Sequence, residues 1–201
     1  MQTLVEVGRQ EYESVHHYLE PIFLATANAA RTDSEKVGAQ GIEFWTSLAE
    51  EEFARSQRNA HVQEYVKRCS SHLIKLLIEC VQKINIDDED EDEDEELGVS
   101  LSSVCCLRAI ALVIGNDIME PVLAFVSLNI NDENWKMRYS SLIALGSITE
   151  GPDKARFMNV IIPGLSNLIA KFKDPHSKVR EAIAFVMNKI CEHHTEVIMN
   201  S

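Results

Sequence analysis

Apolar residues recur along this chain at helical spacing, in stretches separated by short polar breaks. Met1 to Tyr18 carries Leu4, Val5, Val7, Val15 and Tyr18 with no breaker after Gly8, and reads as a lone helix. Pro21 opens a second helix through Ile22, Phe23, Leu24 and Ala25, and Thr32-Asp33-Ser34 supplies a turn and an N-cap signal. A third follows with Val37, Gly41, Ile42, Trp45 and Leu48 on its less polar side. Glu50, Glu51 and Glu52 fall at its end, where the helix dipole disfavours acids. A fourth helix carries Val66, Leu73, Leu76, Leu77 and Val81. Further helical stretches run over residues 101–114, 119–128, 135–148, 160–172 and 179–190. Strand alternation bounded by Asn-Gly or Asp-Gly turns does not occur, so the fold class is all-α.

The helical pattern also repeats. Glu120-Pro121-Val122-Leu123 aligns with Ile162-Pro163-Gly164-Leu165 at an offset of 42, and the same offset carries Asp132 to Asp174, Arg138 to Arg180 and Ile148 to Ile190. Pro21 and Asp33 keep the Pro-to-Asp spacing within one residue. Each unit is therefore a helix pair: Pro near the start of the first helix, Asp in the turn, Arg in the second. Pro is tolerated in a first turn because its missing N–H has no helical partner there. The Asp can cap the second helix or accept hydrogen bonds from the Arg of a neighbouring unit. Units of about 40–47 residues have the HEAT/armadillo period, and such pairs bury their faces against one another. The expected organisation over 1–201 is a HEAT-repeat α-solenoid. Residues 1–18 would be the second helix of a truncated repeat, with helix pairs at 19–55, 64–115, 117–150 and 157–194. Both ends are expected to expose surface that neighbouring repeats cover in a longer array.

Residues Asp87 to Glu96 break the pattern with ten consecutive acids, which repel one another and have no face to bury, so they are expected to form a solvated loop inside the pair 64–115. Net charge is −13, and all but −3 of it lies in that run. Concentrated acidity points to basic partners and away from nucleic acid, which needs clustered Lys and Arg. The five cysteines form no CxxC pair and sit mostly at apolar positions, which suits free thiols in a reducing, intracellular compartment. No signal peptide is evident at the N-terminus, and no apolar run reaches the roughly 18–20 residues of a membrane span. His16-His17 and His193-His194 are adjacent pairs, about 100° apart on a helix, and read as surface residues rather than metal ligands. Cys105-Cys106, Trp45 and Trp135 read as packing residues. Phosphate loop, nucleophile elbow and paired acid–base motifs are absent, so no enzyme, cofactor or metal site is expected.

Three strings carry a resemblance. Val37-Gly38-Ala39-Gln40-Gly41-Ile42-Glu43-Phe44-Trp45 with Glu50-Glu51 resembles a middle repeat of the importin-β (karyopherin-β) family. Asn134-Trp135-Lys136-Met137-Arg138, with Ala144 to Ile148 and Glu150-Gly151-Pro152, resembles another. Lys173-Asp174-Pro175, with Val179-Arg180 and Lys189 to Glu192, is similar to the next. The resemblance covers essentially the whole chain and corresponds to about repeats six to ten of a longer array.

It implies a nuclear transport receptor of cytoplasm, nucleus and nuclear pore. Its partners would be the importin-α adaptor or basic cargo proteins, Ran-GTP and Phe-Gly nucleoporins, with no nucleic acid and no membrane insertion. By resemblance, Glu43, Glu50 and Glu51 are inner-face acids for a basic cargo helix. Asp87, Asp88, Glu89, Asp90, Glu91, Asp92, Glu93, Asp94, Glu95 and Glu96 correspond to the family's acidic loop for cargo and Ran. Tyr18, Phe23 and Thr26 correspond to an outer-helix groove for nucleoporin Phe. Leu97 stands where the family loop carries Trp, and Thr26 where it carries an apolar residue. The alternative class is a static HEAT scaffold, such as a phosphatase regulatory subunit. A histone or ribosomal-protein chaperone acting through the acidic run overlaps with the first reading.

Overall fold

The computed structural model describes residues 12–84 and 98–199, and every regular element among them is helical. Asp87 to Glu96, Leu97 and most of the expected first helix lie outside the described residues. The chain divides into two compact units, Met1–Val113 and Ile114–Ser201.

In the first unit the expected helix up to Tyr18 is replaced, over Tyr12–His17, by a 3-10 helix. Helix α1 (Leu19–Thr32) then packs antiparallel on α2 (Glu35–Gln57). The break between them falls at Asp33-Ser34, where extended backbone ends one helix and the Asp33 carboxylate accepts from Ser34 N–H at 2.7 Å. The apolar run Ile22 to Ala25 is not the buried face of α1. Four consecutive residues wrap round a helix, and Leu24 is 62% exposed, whereas Leu19, Thr26, Ala27, Ala29 and Ala30 face α2 and the core. Small residues there let the two backbones approach closely. A Cβ at Gly38 would lie 3.2 Å from Ala29 O and Ala30 Cα and 2.6 Å from Val99. Helix α2 is buried at Phe44, Trp45, Leu48 and Ala49, and α3 (Tyr65–Val81) presents Leu73, Leu76, Leu77, Cys80 and Val81 as one apolar stripe. Helix α4 (Val99–Ile114) follows the acidic run, with Cys106, Leu107, Ile110 and Ala111 fully buried.

Glu50 to Glu52 do not end α2, which continues to Gln57. Glu52 is 1% exposed and works as a tertiary cap. Its carboxylate accepts from Tyr12 OH (3.1 Å) and from Tyr65 N–H (2.6 Å) and Val66 N–H (3.3 Å), two orphan donors of the first turn of α3. Burial raises its pKa, and the same three hydrogen bonds oppose the shift.

In the second unit α5 (Met119–Asn129) pairs with α6 (Trp135–Ser147). Helices α7 (Lys154–Ile161) and α8 (Leu165–Ala170) precede the long α9 (Ser177–Met199), which packs on α6 and α7. Asn134 and Asp153 cap α6 and α7 by accepting from Lys136 and Arg156 N–H. The Asp153 cap starts a helix well before Pro163, so Pro163 is not in the first turn as expected. It sits in a 3-10 segment (Ile162–Gly164) that separates α7 from α8, the result of a missing donor inside a helix. A similar 3-10 turn, Gly115–Ile118, lies between α4 and α5, with Gly115 at φ +57°.

Two places differ in polarity from the expectation. Val99–Asn129 is long and apolar enough in length and composition for a membrane crossing, contrary to the count of apolar residues alone. The Gly115 break divides it, and Val122, Phe125 and Val126 are buried within the second unit as core residues are. His194 is not a surface histidine: it is 1% exposed, stacked on Phe157 at 4.9 Å, and its Nε2–H donates to Thr149 O at 2.7 Å.

The repeat landmarks meet across neighbouring pairs. Arg138 donates from Nε and Nη2 to the two Asp174 oxygens, both at 2.8 Å, and its Nη1 donates to Asp132 O and Glu133 O. Asp174 also accepts from His176 N–H, and Arg180 reaches back to Asp174 O and Pro175 O. One Asp thus holds the turn before its own second helix and binds the preceding repeat's Arg. Burial alone would raise the Asp174 pKa, but Arg138 and the His176 N–H hold it below its ordinary value.

Candidate functional site

Helix α2 carries Glu43 and Glu50 seven residues apart, two turns along one side, and both are exposed. Beside them, α2 and α4 enclose a groove of about 430 Å³ lined by Thr46, Glu50 and Phe53 from α2 and Cys105, Arg108, Ala109 and Leu112 from α4. Its wall is largely apolar, with one carboxylate and one guanidinium added. Two adjacent cysteines of α4 divide between core and groove. Cys106 is fully buried, and burial raises its thiol to about 12 against the opposing hydrogen bond with Thr46. Cys105, expected in the core, is exposed instead. Although the residue as a whole is exposed, neighbouring groups partly desolvate its thiol and raise its pKa, and the Glu43 carboxylate adds to the rise, with Arg108 opposing and Glu50 adding a smaller part. Glu43, Glu50 and Arg108 therefore all act on one sulfur.

Glu51 points elsewhere. Its carboxylate accepts from Arg55 Nε at 2.7 Å, and Arg55 also pairs with Glu13 and stacks on the Tyr12 ring at 3.9 Å. The structure thus brings Glu43 and Glu50 together and gives Glu51 to the packing of the Tyr12–His17 segment.

The three outer-helix residues lie at different depths. Tyr18 is 61% exposed at the start of α1. Phe23 is half-buried and meets Trp45 (5.8 Å) and His72 (6.0 Å) edge to face. Thr26 is fully buried and offers no surface to a ligand: its hydroxyl donates to Ile22 O and accepts from Trp45 Nε1, each at 2.9 Å. A buried indole N–H needs an acceptor, which explains a Thr at this apolar position. His72 was not singled out in the sequence because it comes from α3, 49 residues away from Phe23 in the chain.

The acidic run lies outside the described residues, but both of its stems are described. On one side Lys83 donates to Ala30 O (2.8 Å) and Arg31 O (3.0 Å), at the end of α1. On the other, Val99 N–H donates to the Glu35 carboxylate at 2.8 Å, and Ser100 donates to Val81 O at 3.1 Å. Both stems are anchored beside the α1–α2 turn. Among the described residues no group of His, Cys, Asp and Glu could hold a metal ion.

Antiparallel helix pairs, tied by an Arg–Asp bridge between repeats, define a HEAT-repeat α-solenoid protein. No protein-family model matches the chain. It is 31% identical over 200 residues to importin subunit beta-1 of Arabidopsis thaliana, a match covering 94% of this chain and 23% of that protein. Among solved structures it superposes on Kap95p in the complex with Nup1 at a TM-score of 0.87, with 28% identity over 96% of this chain and 23% of that one. A Kap95p structure concerned with the switch loops of RanGDP gives 0.86 and 27% identity at the same coverage. The chain belongs to the importin-β (karyopherin-β) family. It spans about a quarter of the length of the curated relatives it matches.

Proposed function

We propose that this chain is a binding segment of a nuclear transport receptor, acting between cytoplasm and nucleus and at the nuclear pore. The observation that carries the reading is similarity over nearly the whole chain to importin-β proteins, in sequence and in fold. Glu43 and Glu50 hold a Lys/Arg-rich helix, either of the importin-α adaptor or of cargo, along the α2–α4 groove. The acids Asp87 to Glu96 extend that field from stems fixed beside the same helices, speeding encounter more than adding affinity. Glu51, paired with Arg55 against the Tyr12–His17 segment, stands outside that contact. Tyr18 and Phe23 take a nucleoporin Phe on the α1 side, with Thr26 holding Trp45 beneath them. Ran-GTP competes with the basic partner. Kap95p with Nup1 and Kap95p with RanGDP are the relatives that motivate the last two partners.

The mechanism is reversible binding without chemistry. Electrostatic contacts on an exposed face are strong enough to capture a basic helix and weak enough to release it, since charges more than a Debye length of about 8 Å apart are screened at physiological salt. A pull-down with three baits tests the reading: a Lys/Arg-rich importin-α-type helix, a Phe-Gly repeat peptide and GTP-loaded Ran. The expected result is salt-sensitive retention on the basic helix, salt-tolerant retention on Phe-Gly repeats, and weaker retention on Ran. Failure to retain the chain on the basic helix at low salt contradicts it.

A further inference from the structure

We propose that Arg108 is a built-in competitor for the basic ligand of the α2–α4 groove and thereby sets which ligands that groove accepts. The inference rests on the reading of Glu43 and Glu50 as contacts for a Lys/Arg-rich helix. Arg108 and Glu50 line the same groove from opposite helices, α4 and α2. Phe53, Ala109 and Leu112 provide the apolar surface on which the methylene stem of a Lys or Arg lies while its head stays at the charged rim. Arg108 contributes a stem and head of the same kind to that lining. Its charge also acts on the Cys105 thiol in opposition to Glu43 and Glu50, so all three charged groups share one locality.

A ligand cation reaching Glu50 therefore enters a groove that already holds the Arg108 guanidinium, and like charges at close range oppose entry. A groove with carboxylates alone would accept any basic helix. With Arg108 present it disfavours ligands that bring only cations, and it favours those with an acid placed to receive the Arg108 guanidinium. Bidentate geometry makes Arg a better occupant of that role than Lys.

The test is titration of a Lys/Arg-rich helical peptide into the intact chain and into Arg108→Ala, Arg108→Gln, Lys75→Ala and Glu50→Gln, with helicity checked by circular dichroism. Lys75 is exposed on α3 outside the groove and controls for the loss of one positive charge. Gln keeps most of the stem, so it separates charge from packing. Both Arg108 variants are expected to bind about five- to tenfold tighter at ~50 mM salt, with the gain shrinking at ~0.5 M. Lys75→Ala should change affinity by less than about twofold at this distance. Unchanged or weaker binding by both Arg108 variants, or an equal gain from Lys75→Ala, overturns the inference. If Glu50→Gln weakens binding while the Arg108 variants do not strengthen it, the basic-helix reading survives and the competitor role does not. If the peptide binds neither the intact chain nor any variant, both fall together.

Discussion

The two units use the same helix-pair plan but satisfy buried charge in opposite ways. In Met1–Val113 the buried carboxylate of Glu52 meets backbone N–H groups and caps α3, and the exposed Glu35 accepts from the first N–H of α4 in the same way. In Ile114–Ser201 a carboxylate meets a guanidinium, Asp174 with Arg138, with side chains only 5% and 11% exposed. A carboxylate on a helix N-terminus uses the dipole as its counter-charge and needs no cation. An ion pair between repeats couples one helix pair to the next. Almost all of the net negative charge falls in the first unit, which is also where the groove and both stems of the acidic run lie. The second unit is nearly balanced, with Arg138 and Asp174 committed to the bridge and Asp153 to a cap. The groove and the structural bridge are thus separated along the chain.

That contrast is broken most severely by Asp174→Ala, which strands the Arg138 guanidinium. A loss of about 3–5 kcal/mol from the second unit is expected in urea unfolding, with the first unit spared. Glu52→Ala removes the cap of α3 and leaves Tyr12 and two backbone donors without their acceptor, costing the first unit about 2–3 kcal/mol by the same measurement. Gly38→Ala forces a methyl against the α1 backbone and should cost about 1–3 kcal/mol. If Asp174→Ala melts both units alike, the assignment of separate devices is wrong.

Acid titration sharpens the comparison with smaller effects. Burial lowers the pKa of His194, with Thr149 O opposing, and Nδ1 is buried without a hydrogen-bond partner among the described residues. Its folded pKa lies below the unfolded value, so stability is complete above about 6.5 and falls as pH drops through that value towards the folded pKa. Asp174, also lowered, contributes above its unfolded pKa and is lost at still lower pH. Glu52 has the opposite sign: its raised pKa makes acidification relieve the cost of its buried charge as pH falls through the folded pKa. Melting followed from pH 7.5 to 5 should therefore show loss in the second unit first, and His194→Gln should remove that early loss.

Much of the architecture was legible because helical periodicity and a repeat need only local pattern and self-comparison. Asp132, Arg138 and Asp174 recur at fixed spacing, and the bridge from Arg138 to Asp174 is one of the two roles, cap or acceptor for a neighbouring unit's Arg, that the repeat leaves open for the Asp. The first turn of α7 was not legible, since the Asp153 cap starts that helix before Pro163. The separate fates of Glu50, Glu51 and Glu52 were not legible either. Three adjacent acids on a helix point in three directions, and only the neighbouring elements decide which is solvated, paired or buried. Thr26 was placed on a ligand surface by resemblance, yet the nearby indole N–H of Trp45 draws its hydroxyl inward. His194 reads as polar, and becomes core only because Phe157 and Thr149 O are there to receive it.

Whether Glu43 and Glu50 form the surface for a basic helix is measured by calorimetric titration of a Lys/Arg-rich helical peptide into Glu43→Gln/Glu50→Gln. Two exposed charge contacts should be worth roughly 1–2 kcal/mol together, so affinity is expected to fall about five- to thirtyfold at low salt with the melting temperature unchanged. Affinity equal to that of the intact chain would remove Glu43 and Glu50 from the contact with a basic helix.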